Sequence, residues 1–278
     1  MAKAGVIGLG VIGSGVALCL ARAGLLGAVY DVRNNAAEGL ESVPPIADSP
    51  AIVARHCDVV LIAVVSADQT IEVLTGPDGV LSAARPDLDV VLLATVSIED
   101  LKRIRAITEA AGVGLIDCGV TGGPKARQNG LVCLVGAEPA RLARVKPVLD
   151  GFAKSVAHMG GPGAGMAAKI ARNVVVYGCL RAGYEGATLA RAAGVDVRQL
   201  AQVIEDSSDG VGGPMMLMGR PADPHSDPDE AKIREYVRVL MIKDLEAALD
   251  LGKSVDVDLP LVELTLNTDR ATTGLDPA

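Results

Sequence analysis

A glycine-rich turn near the start of the chain restricts the possible folds more than any other segment. Gly8, Gly10 and Gly13 form a G-x-G-x-x-G pattern between an apolar run at 4–7 and a helical stretch at 14–23. In this context the first glycine permits a tight turn, the second lets the backbone approach a pyrophosphate, and the third allows helix and strand to pack closely. The helix N-terminus adds free N–H groups and a partial positive charge. The pattern therefore predicts the first β–α–β unit of a dinucleotide-binding domain.

An acidic residue ends the predicted second strand. Asp31 follows the glycines by about 20 residues, where a carboxylate accepts hydrogen bonds from the adenosine ribose hydroxyls. A negative charge there would repel a 2′-phosphate, so the sequence favours NAD over NADP, although Arg33 could partly reverse this preference by reaching over a phosphate. The competing interpretation is that the glycines only pack a helix onto a strand and bind no ligand.

Short apolar runs alternate with helical stretches through the first 160 residues. These runs lie at 5–8, 28–31, 59–65, 90–95, 114–117 and 132–135. Strands that alternate with helices form a parallel, doubly wound sheet. The β pattern stops at Met166. We therefore predict an α/β fold with a Rossmann dinucleotide-binding domain at 1–162 and an all-helical domain at 163–278 for substrate binding and dimerisation, the two being joined by a long helix.

The second half of the chain indicates an oligomer. Residues 167–193 are nearly apolar around the whole helix, so we expect this helix to be buried between domains or against another subunit. A homodimer or homotetramer is the expected assembly. Residues 207–229 are rich in Gly, Pro, Asp and Ser and predict a loop or lid, and helical periodicity returns at 230–251.

The composition argues against several classes of protein. The net charge is −8 and Lys and Arg are not clustered, so we expect no nucleic-acid partner. The apolar runs are interrupted by Gly, Asp or Pro and stay well below the roughly 18 residues of a membrane-spanning helix. A secretory signal would require a small-residue cleavage site after a basic stretch, and the N-terminal segment shows no such pattern. We therefore expect a cytoplasmic protein without a membrane partner.

The cysteines are odd in number and contain no C-x-x-C pair, which argues against a disulfide framework and against a zinc site. We expect them to be buried, inert thiols. They are Cys19, Cys57, Cys118, Cys133 and Cys179. The three histidines show no ligand spacing, and no metal is implied.

Residues 117–123 read Asp-Cys-Gly-Val-Thr-Gly-Gly at a predicted junction of strand and loop. The hydroxyl of Thr121, followed by Gly122 and Gly123, would present itself and exposed backbone N–H groups to an anion, as a small carboxylate substrate needs. The competing interpretation is an ordinary turn, because glycine pairs are common in loops.

Two lysines stand out beyond that segment. Lys169 and Asn173 are four residues apart, so they share one face of a helix within an otherwise apolar stretch, where a cation is costly to bury. A surface lysine that extends to solvent is the alternative. Lys243, in Lys243-Asp244-Leu245, could equally be a solvated charge beside its acidic neighbour.

Together these segments resemble the β-hydroxyacid dehydrogenase family, which includes 3-hydroxyisobutyrate dehydrogenase and tartronate semialdehyde reductase. Residues 117–123 are similar to the family's D-x-P-V-S-G-G, with Gly119 for the usual Pro and Thr121 for the usual Ser. Residues 161–173 are similar to G-x-x-G-x-G-x-x-x-K-x-x-x-N, and 243–245 to K-D-L. The family's S-T-x-x-P is matched only at Thr95.

The resemblance implies an NAD-dependent dehydrogenase of a small β-hydroxy acid. It implies that Lys169 is the catalytic acid/base and that Asn173 hydrogen-bonds the substrate. The residues expected to hold the substrate carboxylate are Thr121, Gly122, Gly123 and Lys243. Those expected at the cofactor are Gly8, Gly10, Val11, Ile12, Gly13, Asp31, Val64, Val65, Thr95 and Lys243, of which Val64, Val65 and Thr95 follow predicted strands at the edge where doubly wound sheets bind ligands. After Tyr30 the family often carries Asn-Arg where this chain has Asp31-Val32, which again favours NAD.

Other functions remain open from the sequence. An imine- or semialdehyde-reducing relative is one, although imine-reducing relatives usually lack the lysine. A catalytically silent NAD-binding redox sensor is another. A decarboxylating sugar-phosphate dehydrogenase is disfavoured, because the chain has no obvious basic cluster for a substrate phosphate.

Overall fold

The computed structural model of the chain describes residues 2–207, 221 and 223–276. The chain divides into two compact units, Met1–Asn173 and Val174–Ala278. The predicted lid at 207–229 falls largely on 208–220 and 222, which lie outside the described residues. No helix in the described ranges is long and apolar enough to cross a membrane.

The first unit is built on one seven-stranded sheet with the order β2-β1-β3-β4-β5-β6-β7. Its strands are β1 Ala4–Ile7, β2 Leu26–Tyr30, β3 Val59–Ile62, β4 Asp89–Leu92, β5 Gly114–Thr121, β6 Leu131–Gly136 and β7 Ala153–Gly160. The first five pair in parallel in the expected doubly wound manner. The predicted α/β Rossmann fold is thus confirmed.

The sheet departs from the prediction at its far edge. β5 and β6 are antiparallel, whereas β6 and β7 are parallel. Only residues 122–130 connect β5 to β6, and a parallel pair needs a crossover of about a dozen residues or more. β7 was not predicted, because Lys154, Ser155 and His158 interrupt its apolar pattern on a partly exposed strand.

Helices cover both faces of the sheet. They are α1 Val11–Arg22, α2 Pro50–His56, α3 Ala67–Thr75, α4 Ile98–Ala110 and α5 Pro139–Asp150, with 3₁₀ helices at Val80–Ala83 and Gly123–Gln128. Apolar residues of α1 and α5 pack on one face in one core, and those of α2, α3 and α4 pack on the other face in a second core. The central strands are therefore apolar on both sides, as parallel strands between two helical layers must be.

The helices that follow complete the chain. They are α6 Ala164–Ala192, α7 Val197–Ser207, α8 Pro228–Ser254, α9 Pro260–Asn267 and α10 Asp269–Thr272. α6 matches the predicted long helix, begins in the first unit and ends in the second. Its Val174, Tyr177, Leu180 and Tyr184 are each at least 64% exposed, so the expected burial of this helix, between domains or against another subunit, stays a prediction. Four of the five cysteines are buried as expected, whereas Cys179 is exposed.

Candidate active site

The glycine turn between β1 and α1 has the backbone that a dinucleotide needs. Gly8 has a φ of +88°, and a Cβ there would lie 2.8 Å from the carbonyl oxygen of Ala63. A Cβ on Gly13 would lie 1.7 Å from the carbonyl oxygen of Gly8, so any side chain is excluded. Gly10 has no atom near its missing Cβ and leaves its backbone open at the start of α1, whose first turn contains no acidic residue. An anion therefore fits at this helix N-terminus.

A cavity of about 410 Å³ lies beside this turn. Gly8, Gly10, Asp31, Val64 and Val65 line it as predicted, together with Val32 and Arg33, which the predicted set omitted. The apolar surfaces of Val32 and Val65 are 84% and 86% exposed. Open apolar walls beside a carboxylate and free N–H groups suit a nucleoside joined to a diphosphate. The residues present thus fit a nicotinamide dinucleotide.

Asp31 is nearly buried and fully engaged. Its carboxylate accepts hydrogen bonds from the Leu9 backbone N–H at 2.7 Å and from the Arg33 guanidinium at 2.9 and 3.0 Å. The Arg33 backbone N–H donates a further bond at 2.9 Å. The hydrogen bonds from Arg33, aided by that from Leu9, lower the pKa of Asp31 to about 2. Arg33 is therefore held against Asp31, which the sequence pattern did not predict.

The predicted substrate segment ends β5 at the same edge of the sheet. Thr121 is the last residue of β5, and Gly122 follows with a φ of +89° at the start of the 3₁₀ helix Gly123–Gln128. A Cβ on Gly122 would lie 2.7 Å from the Gly130 carbonyl oxygen, so this position requires glycine. A Cβ on Gly123 would lie 3.5 Å from Ile12 Cδ1. The substrate segment and the cofactor helix α1 are therefore neighbours.

Further contacts join the 3₁₀ helix to α1, and the sequence did not predict them. A Cβ on Gly15 would lie 2.6 Å from the Cβ of Ala126. The Arg22 guanidinium donates to the Arg127 carbonyl oxygen at 2.7 Å, and Cys19 Sγ to that of Ala126 at 3.3 Å. The helix that would bind the diphosphate thus also supports the substrate segment.

The remaining predicted positions of the first unit lie at the same sheet edge. Val64 and Val65 follow β3, and the exposed Thr95 follows β4. Val11 opens α1 and is 75% exposed. Because β1, β3, β4 and β5 are parallel, their carboxyl ends meet along one crevice, the usual ligand site of such sheets.

Lys169 lies on α6 directly against β5. It is 8% exposed, and its Cβ lies 2.4 Å from where a Cβ on Gly119 would be. Burial, and then the positive charge of Arg172, lower the pKa of the Lys169 amine. Asn173, on the same helix face, accepts a hydrogen bond from Arg172 at 3.3 Å. The structure thus sets Lys169 beside the strand that carries Thr121.

Lys243 lies on α8 in the second unit, where its side chain is 71% exposed and its amine is 3.1 Å from Asp244. Its expected part in cofactor and substrate binding stays a prediction. Within the part of the chain that the structure describes, no group of three or more His, Cys, Asp and Glu side chains is placed to hold a metal ion.

Comparison with known proteins identifies related families over the whole chain. The family model for the NAD binding domain of 6-phosphogluconate dehydrogenase matches residues 3–161, and that for the NAD-binding of NADP-dependent 3-hydroxyisobutyrate dehydrogenase matches 163–273. The chain is 33% identical to an uncharacterized oxidoreductase of Mycobacterium tuberculosis over 89% of this chain and 85% of that protein. It is 31% identical to the 3-hydroxyisobutyrate dehydrogenase of Pseudomonas aeruginosa over 94% and 89%.

A solved structure of a putative oxidoreductase from Mycobacterium avium 104 superposes with a TM-score of 0.87 at 32% identity, and the match covers 100% of each chain. The fold, the glycine turn and these matches define a nicotinamide-dinucleotide-dependent oxidoreductase. More specifically, the chain belongs to the β-hydroxyacid dehydrogenase family, as its motifs at 117–123 and 161–173 implied.

Proposed function

We propose that this dehydrogenase transfers a hydride between NAD and a small β-hydroxy acid of the 3-hydroxyisobutyrate type. The observation that carries the proposal is the nearly buried Lys169, packed against the strand that ends in Thr121, Gly122 and Gly123. The similarity to a 3-hydroxyisobutyrate dehydrogenase supports the substrate class. When bound, the nicotinamide ring would accept the hydride in oxidation and donate it in reduction.

Lys169 moves the proton. Oxidation of an alcohol releases the hydroxyl proton as the carbonyl forms, and a base must take it. An ordinary lysine titrates near 10.4 and would be protonated at neutral pH. Burial and Arg172 lower the pKa of Lys169, which brings the amine closer to a working base. Its Nζ accepts the proton in oxidation and donates it in reduction.

The substrate carboxylate would be held by Thr121 and by the backbone N–H groups of Gly122 and Gly123. The positive φ of Gly122 turns the chain sharply after β5, which favours anion binding by successive N–H groups. Lys243 would add a positive charge. Asn173 would orient the reacting oxygen, so that binding holds the substrate in one productive pose.

We further propose NAD as the preferred cofactor. The carboxylate of Asp31, with a pKa of about 2, is ionised throughout the physiological range and lines the cavity where the adenosine ribose would lie. Arg33 already donates to Asp31 through Nε and Nη2, so a 2′-phosphate would have to compete for that guanidinium. Both facts disfavour NADP.

The assembly that we propose is a homodimer, or a dimer of such dimers, formed through the exposed apolar face of α6. Val174, Tyr177, Leu180 and Tyr184 recur at spacings of three and four and therefore share one helical face. An exposed apolar helix face of this kind favours an interaction surface. We also propose a cytoplasmic location, since the cysteines of this chain are free thiols and a reducing compartment keeps them so.

The test is a substrate screen with NAD and with NADP. We would offer 3-hydroxyisobutyrate, D-glycerate, serine, 4-hydroxybutyrate and their oxidised partners, together with a cyclic imine, and follow the absorbance of the reduced nicotinamide. Turnover of at least one acid, faster with NAD, is the expected result. Tight NAD binding without turnover of any acid or semialdehyde would instead favour the redox-sensor alternative, and turnover confined to imines would favour the imine-reducing one.

A further inference from the structure

The first turn of α6 lies directly on the backbones of β5 and β6. A Cβ on Gly119 would lie 2.4 Å from Lys169 Cβ, one on Gly136 would lie 2.6 Å from Gly165 N, and one on Gly165 would lie 2.5 Å from the Leu134 carbonyl oxygen. Side chains do not fit at such distances. These glycines let the helix that carries Lys169 approach the strands more closely than any other residue would permit.

A buried carboxylate on β5 holds the same turn. Asp117 is 0% exposed and accepts hydrogen bonds from Gly163 N at 2.6 Å and from Met166 N at 2.8 Å. The first N–H groups of a helix have no acceptor within the helix, and a negative charge is favourable there. Asp117 therefore caps α6 from a strand 46 residues earlier in the chain.

The ion pair of Asp117 is the weaker of its interactions. The guanidinium of Arg105, on α4, is 3.4 Å from Asp117 and 23% exposed. The backbone N–H groups of Gly163, just before α6, and of Met166, in its first turn, are much closer. The main partner of the Asp117 carboxylate is thus the start of α6, not a neighbouring charge.

Lys169 follows Met166 by three residues, or about 4.5 Å along the helix axis. Any shift of the helix start is passed to Lys169 almost undiminished, because less than one turn separates them. We propose that Asp117 is a positioning residue for Lys169: its carboxylate fixes the start of α6, and Gly119 sets the distance between the lysine and β5. This inference rests on the proposed role of Lys169 as acid/base and adds the residues that place it.

The test compares Asp117→Asn with Asp89→Asn as a matched control. Asp89 is also a buried carboxylate, at 2% exposed, on the neighbouring strand β4, but its partners Arg141 and Arg144 lie on α5. Asn at 117 keeps one acceptor and places an amide N–H group against a helix N–H group. Both variants lose one buried charge from the same sheet, and only one of them alters the start of α6.

The first measurement is the titration of Lys169 itself, in protein labelled with ¹³C at lysine Cε, with the signal assigned through Lys169→Arg. Among the described residues, the charged group that acts on this amine is Arg172, on its own helix. If Asp117 positions the lysine, its loss lets the amine reach water, and the pKa of Lys169 rises in Asp117→Asn and stays unchanged in Asp89→Asn. Removal of the Asp117 charge without any movement of the lysine would leave that pKa unchanged or lower it, so a fall, or no change, would overturn the positioning role.

The second measurement is turnover. A displacement of about 1 Å can cost about 100-fold in rate, so kcat of Asp117→Asn is expected to fall by about that factor while NAD affinity stays at the wild-type value. Equal losses of kcat in both variants would mean that Asp117 only stabilises the fold. The lysine titration needs no substrate, so a wild-type protein that oxidises no hydroxy acid would refute the proposed function and leave the positioning role still decided by the titration.

A second variant covers the case in which Asp117→Asn does not fold. Gly119→Ala keeps the carboxylate and pushes on Lys169, whereas Gly5→Ala, on β1, makes an equally close contact with Val53 Cγ1 at 2.2 Å. We expect Gly119→Ala to lower kcat and shift the Lys169 titration, and Gly5→Ala to lower stability alone. A wild-type titration and a wild-type kcat in Gly119→Ala would contradict the proposal.

Discussion

The pairing of Asp31 with Leu9 and Arg33 predicts a pH-dependent loss of stability in Asp31→Asn. The pKa of this carboxyl falls from an ordinary 3.8 to about 2, and each unit corresponds to about 1.4 kcal/mol. The pairing therefore stabilises the folded state by at most about 2 kcal/mol. Because the Arg33 side chain is 60% exposed, water screens the pair, and we expect about 1 to 2 kcal/mol.

The sign follows from the lowered pKa. A carboxyl whose pKa is lower in the folded state stabilises that state fully above the unfolded pKa and loses the effect as the pH falls from about 4 towards 2. Asp31→Asn should therefore unfold at lower urea concentration than the wild type at pH near 7, with a melting temperature lower by roughly 2 to 8 °C. The difference should shrink towards pH near 3.

The matched control is Asp150→Asn, which removes the same charge from an exposed pair with Lys146. Such pairs contribute about 0 to 1 kcal/mol. Urea unfolding of the three proteins at both pH values measures the effect. A stability difference for Asp31→Asn that is the same at both pH values, or no larger than that of the control, would refute the reasoning.

Three further predictions concern other parts of the molecule. Gly13→Ala should abolish NAD binding, measured by calorimetry, without unfolding α1, because the added Cβ would meet the Gly8 carbonyl oxygen. Wild-type affinity in this variant would be incompatible with the proposed turn. Asp89→Ala leaves two arginines of α5 without their partner and should lower the free energy of unfolding in urea by about 2 kcal/mol. This is less than for a fully buried pair, because those arginines reach solvent. A loss below about 0.5 kcal/mol, the scatter of ordinary surface substitutions, would contradict this prediction. Leu180→Asp should yield monomers in light scattering, and an unchanged assembly would place the interface elsewhere.

The dinucleotide turn could be predicted from sequence because its determinants are local. The glycines, the flanking strand and helix, and Asp31 all lie within one β–α–β unit, where spacing fixes geometry. The partner of Asp31 could not be predicted in the same way. Whether Arg33 faces a ligand or Asp31 depends on side-chain conformation, which the pattern of residue types does not specify.

Contacts between segments distant in the chain could not be predicted from the sequence. The cap of α6 joins Asp117 to Gly163, and the support of the substrate segment joins Arg22 to Arg127. A charged residue inside an otherwise apolar strand was a signal for Asp117, because a buried carboxylate must find partners. Which partners it finds depends on strand order and on the short connection that makes β6 antiparallel.

The role of Lys169 as the proton-transferring group is tested most directly by the turnover of Lys169→Ala. The control is Lys146→Ala, because Lys146 is an exposed residue of α5. With the best hydroxy acid from the screen, we predict that kcat falls by about 10² to 10⁴-fold in Lys169→Ala alone, the usual contribution of a general acid or base. NAD affinity should stay at the wild-type value in both variants. Near-normal turnover of Lys169→Ala would contradict the account.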